Sequence, residues 1–328
     1  MENTKLKDEI VLEVEDLRTH FQTRWGIVKA VDGVSFKLRR GETLGIVGES
    51  GSGKSVTALS LMRLVPSPPG RIVGGKVILD GQNILELSEH KMGQVRGSKI
   101  GIILQDPMTS LNPVFSIGEQ VKETIRIHQH IPRRSVLEKA LDVLRKVRIP
   151  AAEDRVRDYP HQMSGGMRQR VVGAISISCQ PMVLIADEPT TSLDVTIQAQ
   201  YLRLLSDIQE ESALALIFIT HDFGIVAKMC DRVAVMYAGK LVEMGDVRDI
   251  FNKPSHPYTE ALLASVPKME EDVEKLYSIE GQPPTLHDLP LGCPFAPRCP
   301  YVMERCHEEY PPRTQVGEDH FAHCWKLE

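Results

Sequence analysis

Apolar and polar positions change rhythm several times along the chain. From 10 to 40 they alternate, most clearly at Val34, Phe36 and Leu38, with a turn expected at Asp32-Gly33 before them. A period of two marks strands with one face buried. Short continuous apolar runs follow at 43–47, 100–104, 182–186, 215–220 and 232–237, separated by helix-like stretches. That pattern predicts an α/β core with a parallel sheet covered on both faces. The Pro/Gly-rich segment 66–75 reads as a loop leading to a strand at 76–80 that rejoins the N-terminal β layer. From 116 to 178 the reading is mainly helical, with apolar positions at Leu137, Leu141, Leu144 and Val147. The helical subdomain, about 107–178, is expected as an insertion between two core strands. Past 250 the chain turns Pro-rich and acidic (KPSHPY, GQPPTLHDLP, YPPR), a texture that a hydrophobic core alone holds poorly. The expected domains are therefore residues 1–250 and a C-terminal extension, 251–328.

Composition narrows the classes. With 42% apolar and 25% charged residues among 328, the chain is an ordinary folded body, neither disordered nor a coiled-coil rod. The opening MENTKLKDEI has no apolar core of a secretory signal, and no run approaches the roughly 18 apolar residues of a membrane span. A cytosolic chain is expected. Residues 251–328 hold 7 basic and 13 acidic residues, a net of −6, which leaves the rest at +1. Nothing supplies the basic footprint of a nucleic-acid binder, so no nucleic-acid partner is expected. Four of the six cysteines fall in the last 36 residues.

The sharpest chemical signal is GESGSGKS at 48–55, which follows an apolar strand and opens a helix-like stretch. Glycines let successive backbone N–H groups turn toward phosphate oxygens, and the helix start adds a favourable dipole. Lys54 then reaches the β- and γ-phosphates, and the Ser55 hydroxyl ligates Mg²⁺. The candidate nucleotide set is Gly48, Glu49, Ser50, Gly51, Ser52, Gly53, Lys54, Ser55 and Val56. A glycine-rich turn that binds nothing is the bland reading, and the strand–loop–helix context weighs against it. A second element, MVLIADE at 182–188, is an apolar strand ending in two carboxylates. Asp187 suits the Mg²⁺ hydration shell, and Glu188 stands one residue on, where it can polarise an attacking water.

With these residues in view, the chain resembles the ATPase subunits of ABC transporters. MSGGMRQR at 163–170 is similar to their signature motif, TTSLD at 190–194 to the D-loop, and ITHD to the segment with the switch histidine, here His221. Gln105 ends an apolar strand in the place of the Q-loop glutamine. The resemblance implies a P-loop ATPase fold with an N-terminal antiparallel β layer and a helical insertion. It also implies a head-to-tail dimer, with an identical or paralogous ATPase subunit, in which Ser164, Gly165 and Gly166 of one subunit cap the γ-phosphate held by the other's Lys54 loop. Glu188 would be the general base, His221 would position the γ-phosphate, and Gln105 would complete the Mg²⁺ shell and sense the permease. Phe21 resembles the aromatic on which adenine stacks, with a core phenylalanine as the plain reading and Trp25 as competitor. Met163 and Met167 depart from the commonest signature without touching its serine or glycines.

QDPMTSLNP, SGGMRQR, ADEPTTSLDVT and HPYTEALLASVP together are similar to the dipeptide and oligopeptide importers. Such systems imply two membrane permeases, two ATPase subunits and an extracytoplasmic binding protein met only indirectly. The expected place is the cytoplasmic face of the membrane, peripherally attached. An importer of nickel or another small solute is the alternative, because the motor does not touch its cargo. ABC ATPases of DNA repair carry long coiled-coil insertions and those of translation carry two modules, and this chain has neither feature.

Cys293, Cys299, Cys306 and Cys324 read C-x5-C-x6-C-x17-C. The zinc template C-x2–4-C and the ferredoxin run both differ from this, so spacing alone does not name a metal. Metal, unliganded thiols and disulfides all remain open on the residues, with cytosolic redox conditions favouring metal. His307 and His323 adjoin two of the cysteines as substitute ligands. The family resemblance implies a [4Fe-4S] cluster, with Zn²⁺ as the alternative. Cys179 and Cys230 are expected as buried small hydrophobes.

Overall fold

A computed structural model describes residues 9–191, 193–266 and 277–328, and of Pro107 and Met108 the backbone alone. Parts of three quoted segments lie outside it: the polar opening up to residue 8, Ser192 of TTSLD, and the last residue of HPYTEALLASVP. The strands are β1 (Ile10–Thr23), β2 (Gly26–Arg39), β3 (Thr43–Val47), β4 (Gly70–Leu79), β5 (Gln82–Asn83), β6 (Ile100–Ile103), β7 (Val183–Asp187), β8 (Ala215–Ile219), β9 (Arg232–Tyr237), β10 (Lys240–Asp246), β11 (Thr314–Gln315) and β12 (Phe321–Ala322). The helices are α1 (Lys54–Leu61), α2 (Glu89–Val95), α3 (Pro107–Ser110), α4 (Ile117–His128), α5 (Arg133–Lys146), α6 (Ala152–Arg155), α7 (Gly165–Ile177), α8 (Val195–Ser212), α9 (Phe223–Met229), α10 (Val247–Asn252), α11 (Pro257–Ala264) and α12 (Arg305–Glu308). The five apolar runs singled out in the sequence all form strands.

The chain divides into two compact units. One contains residues up to 12, 38–42 and 86–218; the other contains 13–37, 43–85 and 219–328. In the first, β8, β7 and β6 lie side by side, with β6 and β7 parallel and Ile100 opposite Val183. Every residue of β7 and β8 is buried, which is why these segments read as continuous apolar runs. α7 packs against β6 at Gly101, where a Cβ would stand 2.6 Å from Ser176 O. In α5 the buried face is Val136, Ala140, Val143 and Leu144, while Leu137 is 46% exposed. Of the expected positions Leu144 and Val147 are buried and Leu141 is half-buried, so the stripe differs only at its N-terminal end, where Val136 and Ala140 are buried and Leu137 is not. The buried face is wider than a single stripe, and at the helix start packing buries Val136 in place of its neighbour Leu137.

In the second unit an antiparallel layer runs in the order β2-β1-β4-β5, and β4 joins it as expected. Its strand begins at Gly70, inside the segment expected to be loop. The expected turn at Asp32-Gly33 is absent: β2 continues through it, with Gly33 at φ +87°. The chain reverses earlier instead, between β1 and β2. The remaining strands run β11-β12-β10-β9-β3, with β3 and β9 parallel and β9 and β10 antiparallel. The β9–β10 reversal is the two-residue turn Ala238-Gly239, with φ of +48° and +83°, as a tight hairpin of this twist requires. The tail adds β12 to the edge of β10, pairing Glu243 with Ala322 and Met244 with Phe321. Glu243 is fully buried there: it accepts from the N–H groups of Ser255 (2.7 Å) and His256 (3.0 Å), and His320 Nε2 lies 2.7 Å away.

Candidate functional site

The loop at 48–55 leaves β3 and enters α1 through three glycines at positive φ: Gly48 (+150°), Gly51 (+79°) and Gly53 (+106°). Side chains are excluded at two of them. A Cβ at Gly48 would stand 2.2 Å from Met236 O, and one at Gly53 would stand 2.3 Å from Ala30 O. Lys54 is buried at 6% exposure, and its Nζ donates to Gly48 O (2.8 Å) and Glu49 O (2.9 Å), so the ammonium is held inside the curl of the loop. Ser55 is exposed at the start of α1, where the helix's unpaired N–H groups and dipole favour an anion. His221 is also exposed; it follows Thr220, whose N–H reaches Ile46 O of β3 (3.3 Å), and precedes Asp222, which caps α9. Phe21 is half-buried, its ring against β4 at Gly70, whereas Trp25 is 71% exposed under the Arg24 guanidinium.

Glu49 is bound in a way the sequence does not foretell. Its N–H donates to the Tyr258 hydroxyl oxygen (2.8 Å), and its carboxylate takes two bonds from Arg298 (2.6 and 3.0 Å). Tyr258 lies in HPYTEALLASVP and Arg298 in GCPFAPRCP, segments that carry the family likeness without disclosing this contact.

The other unit holds the second group of candidates. Asp187 ends β7 at 5% exposure, and Glu188 follows at φ +45°, a conformation that disfavours a residue with a side chain. Its carboxylate accepts from Gln105 Nε2 (2.9 Å) and Thr191 Oγ1 (3.0 Å). The structure thus brings Gln105 and Glu188 together and adds Thr191, which the sequence reading had passed over. Ser164 caps α7, accepting from Met167 N–H at 3.4 Å, and Ser164 and Gly165 are exposed at the helix start. Of the two departures from the common signature, Met163 is a core residue at 3% exposure and Met167 is half-buried. Gly166 is required by close packing, because a Cβ there would stand 2.6 Å from Ile197 Cγ2.

In the tail, Cys293, Cys299, Cys306 and Cys324 line one cavity walled by Phe295 and Trp325. None of the six cysteines is paired in a disulfide. Gly292 permits the close approach of the segments bearing Cys293 and Cys306, since a Cβ there would meet Cys306 O at 2.2 Å. Burial pushes the Cys293 thiol up to about 11, and the nearby Cys306, Cys299 and Cys324 sulfurs add to the rise. Burial also raises Cys299 and Cys324, so without a cation these thiols keep their protons. Among the described residues, no group of three or more His, Cys, Asp or Glu side chains is placed to hold a metal ion. The donor set nevertheless suits a thiophilic group: four thiols share one cavity. His307 and His323 do not line it; His307 is exposed, and His323 Nδ1 bonds Pro311 O (3.1 Å). Of the remaining thiols, Cys230 is buried against Gly45 of β3, while Cys179 is only half-buried.

Fold and loop together define an ABC-type ATPase. A solved dimeric ATP-binding cassette in a post-hydrolysis state superposes with a TM-score of 0.65 at 24% identity, over 72% of this chain and 99% of that one. The cbiO1 component of a Clostridium perfringens ABC transporter complex does so with a TM-score of 0.64 at 28% identity, over 75% and 92%. The family described as ABC transporter matches residues 31–191, and the one described as oligopeptide/dipeptide transporter, C-terminal region, matches residues 242–306. A probable peptide ABC transporter ATP-binding protein of Sinorhizobium fredii is 51% identical over 98% of this chain and 96% of its own length. The oligopeptide transport ATP-binding protein of Bacillus subtilis is 50% identical over 97% and 89%, and the dipeptide transport counterpart of the same organism 48% over 97% and 95%. The chain belongs to the ATP-binding subunits of peptide ABC transporters, a family that hydrolyses ATP to power transport. No helix among the described residues is long and apolar enough to cross a membrane.

Proposed function

We propose that the chain is the ATP-hydrolysing motor of an importer that takes up dipeptides or oligopeptides through two partner permeases. The observation that carries this reading is the extent of the likeness, which runs through the phosphate loop and on into the tail at residues 242–306. In this reading residues 1–250 are the nucleotide-binding domain and 251–328 an extension. The motor sits peripherally on the cytoplasmic face, and an extracytoplasmic binding protein delivers the peptide. Lys54 and the backbone of the 48–56 loop bind the ATP phosphates. Ser55, Gln105 and Asp187 are the residues that would hold Mg²⁺, which neutralises phosphate charge when bound. Phe21 takes the adenine ring, and His221 positions the γ-phosphate.

Glu188 is the proposed general base. Its two hydrogen bonds and its positive φ support the reading, because a carboxylate kept in a costly backbone conformation is one that the surrounding structure fixes in place. Ser164, Gly165 and Gly166 cap the nucleotide of a second ATPase subunit in a head-to-tail dimer, consistent with the exposure of Ser164 and Gly165 at a helix start. Glu188→Gln is expected to cut hydrolysis by roughly 10²–10⁴-fold while ATP binding persists. Full turnover by that variant refutes the role. Reconstitution with the permeases and binding protein tests the cargo: turnover should rise with peptides, and stimulation by another solute class alone would overturn the peptide assignment.

The four tail cysteines are proposed to hold a [4Fe-4S] cluster, with Zn²⁺ as the alternative. Bound to four thiolates, either would cross-link a segment with few apolar residues of its own. Iron, sulfide and zinc analysis of protein purified without oxygen decides between them. Zinc without iron would sink the cluster.

A further inference from the structure

Arg298 is buried more deeply than a surface ion pair requires. Its side chain is 3% exposed, and its guanidinium grips Glu49 through both carboxylate oxygens, at 2.6 and 3.0 Å. The same group reaches the Tyr237 hydroxyl (3.3 Å) and Glu280 O (3.1 Å). Beside it Tyr237, Tyr258 and Phe295 pack ring against ring, with centroids 4.5 to 5.4 Å apart, and all are at most 1% exposed. Tyr258 receives the N–H of Glu49, so the second residue of the phosphate loop is fixed through backbone and side chain by groups from the tail.

Arg298 is also bounded by thiols. It ends the short 3₁₀ turn Ala296–Arg298, which follows Cys293 and Phe295 and runs directly into Cys299. Arg298 N–H bonds Phe295 O (2.9 Å), and Cys299 N–H bonds Ala296 O (3.2 Å), so the turn is internally braced. A rearrangement at Cys293 or Cys299 therefore moves the turn as a piece. A fork of two parallel bonds tolerates little displacement, and a buried guanidinium left without its carboxylate is strongly disfavoured.

We propose that Arg298 is a positioning residue for the phosphate loop, which makes nucleotide affinity depend on the state of the tail cysteines. This rests on reading 48–55 as the nucleotide site. Coupling of this kind is reciprocal: what changes at the cysteines alters nucleotide affinity, and nucleotide alters the cysteines.

The test is a double-mutant cycle on the full chain, with a fluorescent ATP analogue as probe and folding checked by circular dichroism. Arg298→Gln is expected to weaken binding about tenfold, within the usual range of intersite coupling. Arg298→Lys should recover part of that loss, keeping the charge without the fork. Arg298→Gln combined with Glu49→Gln should be no worse than the weaker single variant. Additive losses, or wild-type affinity in folded Arg298→Gln, overturn the proposal. If Arg298→Gln does not fold, Glu49→Gln alone carries the test through the second readout. That readout is iodoacetamide labelling of the four tail cysteines in the chain as purified, followed by mass spectrometry. The ATP analogue should slow labelling several-fold in wild type and not in either single variant at saturating analogue. Equal protection in wild type and variants would overturn the coupling. Failure of the unmodified chain to bind the analogue would instead sink the nucleotide-site reading, which the two results keep apart.

Discussion

The glycine-rich loop at 48–55 and the cysteine-bearing tail lie in the same unit and are held by largely different means. Between 48 and 55 most of the fixing interactions are local and end on the loop's own backbone, Glu49 apart: three positive-φ glycines, Lys54 Nζ on the carbonyls of Gly48 and Glu49, and Ser52 N–H on Glu49 O. In the tail the partners are far apart in sequence and mostly side chains. Glu243 anchors His320, Trp325 Nε1–H donates to Glu309 O (3.1 Å), and Arg298 reaches back to Glu49. A loop made of backbone must keep its residue types at fixed spacing, which is what a motif is. A segment made of distant side-chain pairs leaves no such spacing to read.

Three substitutions or conditions probe that contrast, from the largest expected effect to the smallest. Gly53→Ala places a methyl 2.3 Å from Ala30 O at φ +106°, and should cost about 3 kcal/mol or more along with nucleotide binding. Urea unfolding and binding of the fluorescent ATP analogue would show it, and a stable, nucleotide-competent variant would remove the argument that the loop is built from backbone.

Acid should loosen the tail. His256 is buried, its Nδ1 accepts the Tyr258 N–H (3.0 Å), and burial pushes its pKa down to about 4. The unfolded chain takes up that proton below about pH 6.5, whereas the native imidazole stays neutral until about pH 4. The contribution is thus complete above pH 6.5 and is lost as pH falls toward 4, by up to about 3 kcal/mol. Thermal unfolding across that range should show the decline, flattened in His256→Asn; an equal decline in the variant would assign it to other groups. Trp325→Phe keeps one aromatic ring but removes the bond to Glu309 O and part of the indole packing, with an expected loss of about 2 kcal/mol by denaturant titration. A loss several times larger would mean that the tail depends on single bonds more than on its shared packing.

The limits of sequence reading follow the same physics. The five core strands were legible because burial on both faces demands unbroken apolar runs. β10 escaped because it carries Glu243 in its middle, a carboxyl group whose burial only the convergence of Ser255, His256 and His320 makes tolerable. Along α5 the periodicity was legible and holds at Leu144 and Val147, but at the helix start two adjacent apolar residues competed and packing buried Val136 in place of Leu137. At Gly33 a residue type that signals a turn stands instead at φ +87° inside a continuing strand.

By itself the sequence determined the α/β core, the glycine-rich loop between β3 and α1, the carboxylate pair at the end of β7 and the family, because each rests on local periodicity or on residues at fixed spacing. Only the tertiary structure decided that Gln105 and Thr191 bond Glu188, that four cysteines share one cavity, and that Tyr258 and Arg298 hold Glu49. Those contacts join residues up to 249 positions apart, and no local rule of chain conformation fixes which distant side chains a fold brings into reach.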